Sequence, residues 1–366
     1  MKVALVHDWL TGMRGGEKVL EQLCLLFPEA PIYTLFHFPG SVSKNIENHE
    51  IHTSFLQKAP LIKNQYRNYL PLFPSAAESF DLQSFDLIIS SSHCVAKGII
   101  PSSSGIHLCY CHTPMRYIWS HYWDYFGDHR TGFIKRKTLP IVMSYLRMWD
   151  VSSSNRVDEF IANSKFIGER IQKYYGRTSQ VVYPPVDVEF FVPSDRTRED
   201  FCLIVSALVP YKRLEVAIEA FRNSNRSLVI VGTGPEEKTL KQLAPSNVKF
   251  LGRVDVNQLR DLYQTAAMLI QPGVEDFGIN VIEALACGCP VLAYRKGGAT
   301  ETVVEGITGI FFNELTAESL RQTVDKASGM LFNVAFLREM ALRFSPSRFQ
   351  KEIEAIVQEK LQTKVT

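Results

Sequence analysis

The sequence has 366 residues, which at roughly 150 per domain predicts two domains and excludes one small module. Its 46% hydrophobic and 21% charged residues are ordinary globular usage and argue against a disordered, collagen-like or coiled-coil chain. Forty Lys plus Arg against 38 Asp plus Glu leave a formal charge of +2, too balanced for a protein that works by coating nucleic acid.

The N-terminus, MKVALVHDWL, reaches His7 and Asp8 too soon for a signal-peptide core, and no uninterrupted apolar run of membrane-spanning length follows. The expected location is the cytoplasm, at most peripheral on the inner face of the membrane. Val3 to Val6 reads as a first strand, and from Gly15 the segment EKVLEQLCLLF reads as a helix with Val19, Leu20, Leu23 and Leu26 on its apolar positions. Between them stand Gly12, Gly15 and Gly16. Glycines here let a ligand approach the backbone, and the amides at a helix N-terminus attract phosphate, so Gly15 and Gly16 are candidate diphosphate contacts. A simple tight turn is the alternative. The spacing is not GxGxxG, which speaks against a nicotinamide site.

Further buried strands are expected at Leu87 to Ile89, His107 to Tyr110, Glu159 to Ala162 and Val181 to Tyr183, all suited to a parallel sheet. His112, in CYCHTPMRYIWSHYW, follows one of them and should emerge at the carboxyl edge, where open α/β sheets bind ligands. Thr113, Arg116 and Tyr117 accompany it, and His7 and Asp8 occupy the equivalent edge of the first strand. The seven cysteines (24, 94, 109, 111, 202, 287, 289) are odd in number and sparse, as in a reducing compartment. Cys109 and Cys111, and Cys287 and Cys289, are one residue apart where zinc ligands are usually separated by two to four, so they read as buried thiols and no metal is expected. Residues 130 to 150 mix Arg130, Lys135, Arg136, Lys137 and Arg147 with Phe133, Ile134, Tyr145 and Trp149, which makes an anionic membrane surface a candidate partner. An ordinary core helix with a charged outer face is the alternative.

After residue 184 two adjacent prolines and a charged tail suggest a linker. A second series of strands then begins with FCLIVSALV, continues through SLVIVG, VKFLG and MLIQP, and closes with PVLAY, each followed by a helix or turn. Lys212 and Arg213 follow the first of these strands and precede a helix, a position from which cations reach a leaving diphosphate. Gly232 and Gly234 form a strand-end turn, and Arg253 with Val254 ends another strand. The most informative stretch is QPGVEDFGINVIEALACGCPVLAYRKGGATETV. Glu275 stands before a helix, the amides of Phe277, Gly278 and Ile279 are expected to begin it, and Glu283 lies on its second turn. Such a helix start donates N–H groups to a phosphate or sugar hydroxyl while each carboxylate accepts from further hydroxyls. The alternative is a charge complementing the helix dipole plus a solvated Glu283. A final amphipathic helix is expected around FSPSRFQKEIEAIVQEKLQ, with Phe349, Ile353, Ile356 and Val357 on one stripe.

The segment Glu275 to Val291, taken with ALVPYKR, VIVGTGP, VKFLGRV and the early GGEKV, resembles glycosyltransferase family 4, whose members have the GT-B fold. HDWLTGMRGGEKV and YCHTPMRY further resemble a bacterial branch of mannosyltransferases of polysaccharide assembly. The resemblance implies an α/β GT-B architecture: two facing Rossmann-like domains, 1–185 on the acceptor side and 186–345 binding a nucleotide sugar, with a C-terminal crossover helix, 346–366, returning to the first. By position Glu275 would hold hydroxyls of the transferred sugar beside Phe277 to Ile279, and Glu283 the ribose. Lys212 and Arg213 would stabilise the diphosphate, joined by Gly15 and Gly16, and His112 would contact the sugar. Asp276 stands where many relatives carry glycine. The implied activity is retaining, metal-independent hexosyl transfer without a cofactor, with GDP-mannose favoured as donor and a saccharide or lipid-linked saccharide as acceptor. A UDP-sugar transferase is the nearest alternative, followed by a nucleotide-sugar epimerase and a noncatalytic nucleotide-sugar-binding protein.

Overall fold

The computed structural model describes residues 1–126 and 133–365. Two compact units divide the chain, one made of 1–185 with 347–366, the other of 186–346.

In the first unit seven parallel strands lie in the order β3-β2-β1-β4-β5-β6-β7: β1 Val3–His7, β2 Ile32–Thr34, β3 Ile51–Thr53, β4 Leu87–Ser92, β5 Ile106–Cys111, β6 Glu159–Ala162 and β7 Ser179–Val181. β1, β4 and β5 have almost no polar alternation because both faces of a parallel sheet are covered, and Leu5, Leu87, Ile89, Leu108 and Tyr110 all join one core. The order reverses between β1 and β4, with Val3 opposite Leu87 and His7 opposite Ser91. The last strand, Ser179–Val181, lies two residues earlier than expected; the Val182 N–H still donates to the Ala162 carbonyl at 3.0 Å, and the Val182 carbonyl receives the Tyr110 hydroxyl at 2.9 Å. The helix Pro346–Val365 packs Phe349, Ile353, Ile356 and Val357, all buried, into the same core as β1 and β4.

In the second unit six parallel strands lie in the order β10-β9-β8-β11-β12-β13: β8 Phe201–Val205, β9 Ser227–Val231, β10 Val248–Gly252, β11 Met268–Gln271, β12 Val291–Tyr294 and β13 Gly309–Phe312. PVLAY therefore does not close the sheet. β13 pairs along its outer side, and helices Ala317–Ser328 and Val334–Leu342 follow it. Here too the order reverses, between β8 and β11. The expected linker is packed rather than free: Val186, Val188 and Phe191 are buried, and the Val186 N–H donates to the Phe344 carbonyl at 2.9 Å. All seven cysteines are buried free thiols.

The helix Phe133–Ser154 corrects part of the surface expected there. Trp149 points inward, donating its indole N–H to Glu78 at 2.8 Å, and the Arg147 guanidinium donates to the Ile118 carbonyl and lies 5.3 Å from the centre of the Tyr122 ring. Tyr145 is exposed as expected, and among the described side chains of this helix it is joined on the outside by Ile141, Met148 and Val151, with Ile141, Tyr145 and Met148 at helical spacing. Arg130, and the side chains of residues 133–137, lie outside what the structure describes.

Candidate active site

Ligands of open α/β sheets bind beyond the carboxyl ends of the strands where the strand order reverses. Each unit has one such point, and chemically useful side chains gather at both.

At the end of β1 and β4 in the first unit, His7, Asp8, Ser91, His93 and His112 come together beneath the first turn of the helix Gly15–Leu26. A methyl placed on Gly16 would lie 3.4 Å from the His7 ring and 3.7 Å from His112 Nε2, so two separately predicted residues, Gly16 and His112, are neighbours. The Asp8 carboxylate receives four backbone N–H groups, from His93, Cys94, Val95 and Ala96, at 2.6 to 3.0 Å, and sits 3.0 Å from His93 Nδ1. Burial by itself would raise this carboxyl, but the charge and hydrogen bonds of His93 outweigh it and hold Asp8 well below the usual carboxylate range. Asp8 is thus committed to shaping the loop after β4 and has no spare acceptor capacity for a ligand. His112 is kept neutral first by burial and then by the neighbouring His93 and His7. Its Nε2 is 2.8 Å from Ser91 Oγ.

At the end of β8 and β11 in the second unit, Lys212 and Glu275 form an ion pair. Lys212 closes the short turn Pro210–Lys212, and Arg213, at φ 57°, turns the chain into the helix Leu214–Ala220. That left-handed residue sends the two cations to different places: Lys212 is buried against Glu275, while Arg213 is exposed and pairs with Glu215 at 3.1 Å. Glu275 also accepts from Gln271 Nε2 at 2.7 Å, and Gln271 Oε1 accepts from Asn280 Nδ2 at 2.8 Å. Asn280 further donates to the Val205 carbonyl at the end of β8, so two amides lock the carboxylate to both strands of the switch point.

Close backbone packing completes this arrangement. The Gly298 N–H donates to the Glu275 carbonyl at 2.8 Å, and a Cβ on Gly298 would lie 2.4 Å from Phe277 Cα. Only glycine permits that approach. The helix itself runs Ile279–Ala286 with Gly278 at φ 89° before it, so Phe277 precedes the helix instead of beginning it, and its ring packs on Phe344. Glu283 is buried, not solvated, and accepts the Tyr263 hydroxyl at 3.0 Å. Arg253 is exposed and Val254 half-buried beyond β10, and no described hydrogen bond or ion pair joins them to Glu275. Residues missed from sequence are Gln271, Asn280, Tyr263 and Gly298 here, and Glu17, Ser91 and His93 in the first unit. None of these carried a sequence signal of its own: Glu17 stands three residues after the helix cap, but the cap is Arg14 and not the Ser or Thr that marks a capping box.

The family model described as Glycosyl transferases group 1 matches residues 186–329, and that described as Glycosyltransferase Family 4 matches residues 13–190. The chain is similar to a GDP-mannose-dependent alpha-(1-6)-phosphatidylinositol monomannoside mannosyltransferase of Mycolicibacterium smegmatis, 29% identical over 227 residues, 54% of this chain and 58% of that protein. A GDP-mannose-dependent monoacylated alpha-(1-6)-phosphatidylinositol monomannoside mannosyltransferase of Corynebacterium glutamicum is 36% identical over 146 residues, 34% of this chain and 38% of that one. The chain spans about half the length of the curated relatives it matches. Among solved structures, the HepE protein of Anabaena in complex with UDP-glucose superposes with a TM-score of 0.70 at 17% identity, covering 98% of this chain and 100% of that one. Sucrose-phosphate synthase from Thermosynechococcus elongatus does so with a TM-score of 0.74 at 15% identity, covering 99% and 100%. With one model on each sheet, and the two together reaching from residue 13 to residue 329, the chain belongs to glycosyltransferase family 4 and has the GT-B fold.

Proposed function

We propose that the protein is a retaining, metal-independent glycosyltransferase that moves a hexose, mannose from GDP-mannose in first place, to a saccharide or lipid-linked saccharide acceptor in surface-polysaccharide synthesis. The observation that carries this reading is the Lys212–Glu275 pair, locked by Gln271 and Asn280 at the switch point of the second sheet. A buried cation there meets the diphosphate, and the carboxylate beside it accepts hydroxyls of the transferred sugar. The acceptor hydroxyl attacks the anomeric carbon on the face from which the diphosphate departs. The bond from that carbon to the diphosphate oxygen breaks, and the leaving phosphate takes the acceptor's proton. Lys212 offsets the negative charge growing on the leaving group. Gly15 and Gly16 supply further amides to the diphosphate, and His112 contacts the sugar. Arg213, Arg253, Val254 and the Phe277 to Ile279 backbone remain assigned to the donor, Arg213 from an exposed position.

Support for the base comes from the two relatives whose names specify GDP-mannose. A UDP-sugar donor is the second reading, favoured by the UDP-glucose-bound neighbour. Thermal shift with GDP-mannose, UDP-glucose and UDP-galactose separates them, since a ligand held a hundredfold above its Kd stabilises the native state by about 2.7 kcal/mol. GDP-mannose is expected to raise Tm and to be consumed with an acceptor present. Activity is expected to survive EDTA, and NMR of the product to show the donor's anomeric configuration; inversion sinks the mechanism. An epimerase yields an altered free nucleotide sugar, and a binding protein yields no product.

Glu283 is assigned the donor ribose, which does not react, so Glu283→Gln is expected to raise donor KM about tenfold with kcat little changed. Its amide oxygen still accepts the Tyr263 hydroxyl, which keeps the helix in place.

No helix among the described residues is long and apolar enough to cross a membrane. We assign an anionic membrane surface as a partner of the first unit, cytoplasmic and peripheral on the inner face. Ile141 and Met148 are 73% and 67% exposed, and Phe55, Leu61 and Leu72 are exposed beside Lys58, Lys63 and Arg67 in a stretch, 51–77, that contains no Asp or Glu. Sedimentation with anionic liposomes is expected to exceed that with neutral ones, and equal sedimentation ends this assignment.

A further inference from the structure

Four side chains of the first unit stand in one line from the helix start to the strand edge: Glu17, His7, Ser91 and His112. Ser91 Oγ lies 3.1 Å from His7 Nδ1 and 2.8 Å from His112 Nε2. A hydroxyl carries one proton, so when it bridges two neutral imidazoles it donates to one and accepts from the other. Which way the chain runs is decided at its far end. Glu17 Oε1 is 3.9 Å from His7 Nε2, both side chains are buried, and Nε2 has no hydrogen-bond partner in the structure. Burial would raise the Glu17 carboxyl, but His7 and His93 outweigh it and keep it below its usual value, so at neutral pH a negative carboxylate faces that nitrogen. A ring N–H directed at a carboxylate is attracted and a lone pair is repelled. Glu17 cannot turn away, because its Oε2 accepts the Arg14 backbone N–H at 3.0 Å.

We propose that Ser91, directed by His7 and Glu17, is a positioning residue that fixes His112 as the neutral tautomer protonated at Nε2, leaving Nδ1 as an acceptor for a hydroxyl of the bound sugar. In this relay His7 is the neutral ring, with its proton on Nε2 facing Glu17 and Nδ1 as acceptor; a cationic His7 donates from both nitrogens, reverses Ser91 and leaves His112 protonated at Nδ1, the outcome that overturns the proposal. Ser91 donates to that nitrogen and accepts from His112 Nε2–H. Nothing among the described residues hydrogen-bonds His112 Nδ1, while the backbone carbonyl of His112 is tied to Asn163 Nδ2 at 3.0 Å and its ring centre lies 5.1 Å from that of Tyr110. The titratable groups around the ring are His7, His93, Asp8 and Arg116. The assignment rests on the reading that the transferred sugar lies beside His112, and it sharpens that reading. A neutral ring presenting a lone pair accepts from a hydroxyl but repels the acceptor-only oxygens of a diphosphate, so His112 selects the sugar portion of the donor.

The tautomer is measurable without substrate. In the full chain labelled with 15N-histidine, with His112→Gln identifying the His112 signals, Nδ1 is expected to be pyridine-like and Nε2 pyrrole-like from about pH 6 to 8. Ser91→Ala, which removes one oxygen and adds nothing, is expected to give a mixture of tautomers. With Ser91 in place, His7→Asn is expected to keep the single form, because the carboxamide oxygen takes the place of Nδ1 as acceptor for Ser91, whereas His7→Leu is expected to lose it. A His112 protonated at Nδ1, a cationic His112 in that range, or an unchanged tautomer in Ser91→Ala overturns the proposal. Ser91→Ala is further expected to lower kcat/KM for glycosyl transfer about tenfold, the worth of one hydrogen bond. If the tautomer shifts as stated and transfer is unaffected, the relay stands and the placing of the sugar beside His112 falls.

Discussion

Glu275→Gln is expected to lower kcat by about 10²–10³ while donor KM moves less than about threefold. The sugar ring flattens and gains positive charge as the bond to the diphosphate breaks, so a negative carboxylate against it contributes more in the transition state than in the bound donor. The substitution isolates that charge. A glutamine oxygen still accepts from Gln271 Nε2 and still lies beside Lys212, so the local frame is retained. Lys212→Ala is expected to lose turnover in the same way, because charge on the leaving diphosphate also peaks late. The two losses are not expected to add, since each residue neutralises the other in the free protein and neighbours in one network couple. Steady-state kinetics of the single and double variants decide it: an unchanged kcat for Glu275→Gln, with loss of donor affinity alone, refutes the role.

How much of this was readable beforehand follows from what each residue must do locally. Leu87 to Ile89 and Met268 to Gln271 are apolar runs ended by polar or glycine-rich segments, and such runs identify buried parallel strands by themselves. Ile32–Thr34, Ile51–Thr53 and Gly309–Phe312 were not readable, because three or four residues at or near a sheet edge carry too little periodicity and owe their pairing to neighbours already in place. The same division runs through the site. Lys212, Glu275 and Gly16 stand at strand-to-helix turns whose position in the chain already suggests a ligand. Gln271, Asn280 and Ser91 are an amide within a strand, an amide within a helix and one serine of three in a row. They became functional candidates only through partners 4 to 84 residues away. Lys212 and Arg213 show the opposite failure. Adjacent in sequence and alike in charge, they are separated by one left-handed backbone conformation at Arg213.

Lys97→Met is expected to destabilise the first unit by about 3–5 kcal/mol, the cost of leaving one member of a buried ion pair without the other. Lys97 and Asp150 are buried, and the ammonium lies 3.0 Å from Asp150 Oδ1, 2.6 Å from the Asp150 carbonyl and 2.7 Å from Ser153 Oγ. Asp150 Oδ2 accepts from the Trp119 indole at 2.7 Å and from the Tyr175 hydroxyl at 2.9 Å. One carboxylate thus joins the loop that follows His112, the helix Phe133–Ser154 and the helix Lys165–Tyr175. Asp150→Asn is expected to cost a similar amount, because an amide nitrogen turned toward either side faces donors. The double variant is expected to recover part of the loss, since no unpaired charge remains in the interior. All four tryptophans, Trp9, Trp119, Trp123 and Trp149, belong to this unit, so fluorescence during urea unfolding reports it apart from the other. Lys241→Ala provides the contrast: its 2.7 Å pair with Glu237 is at the surface of a helix in the other unit, where such a pair contributes about 0.3–0.5 kcal/mol. If Lys97→Met shifts the fluorescence transition no further than Lys241→Ala shifts the transition of its own unit, followed by circular dichroism, the buried pair does not hold the segment after His112 in place.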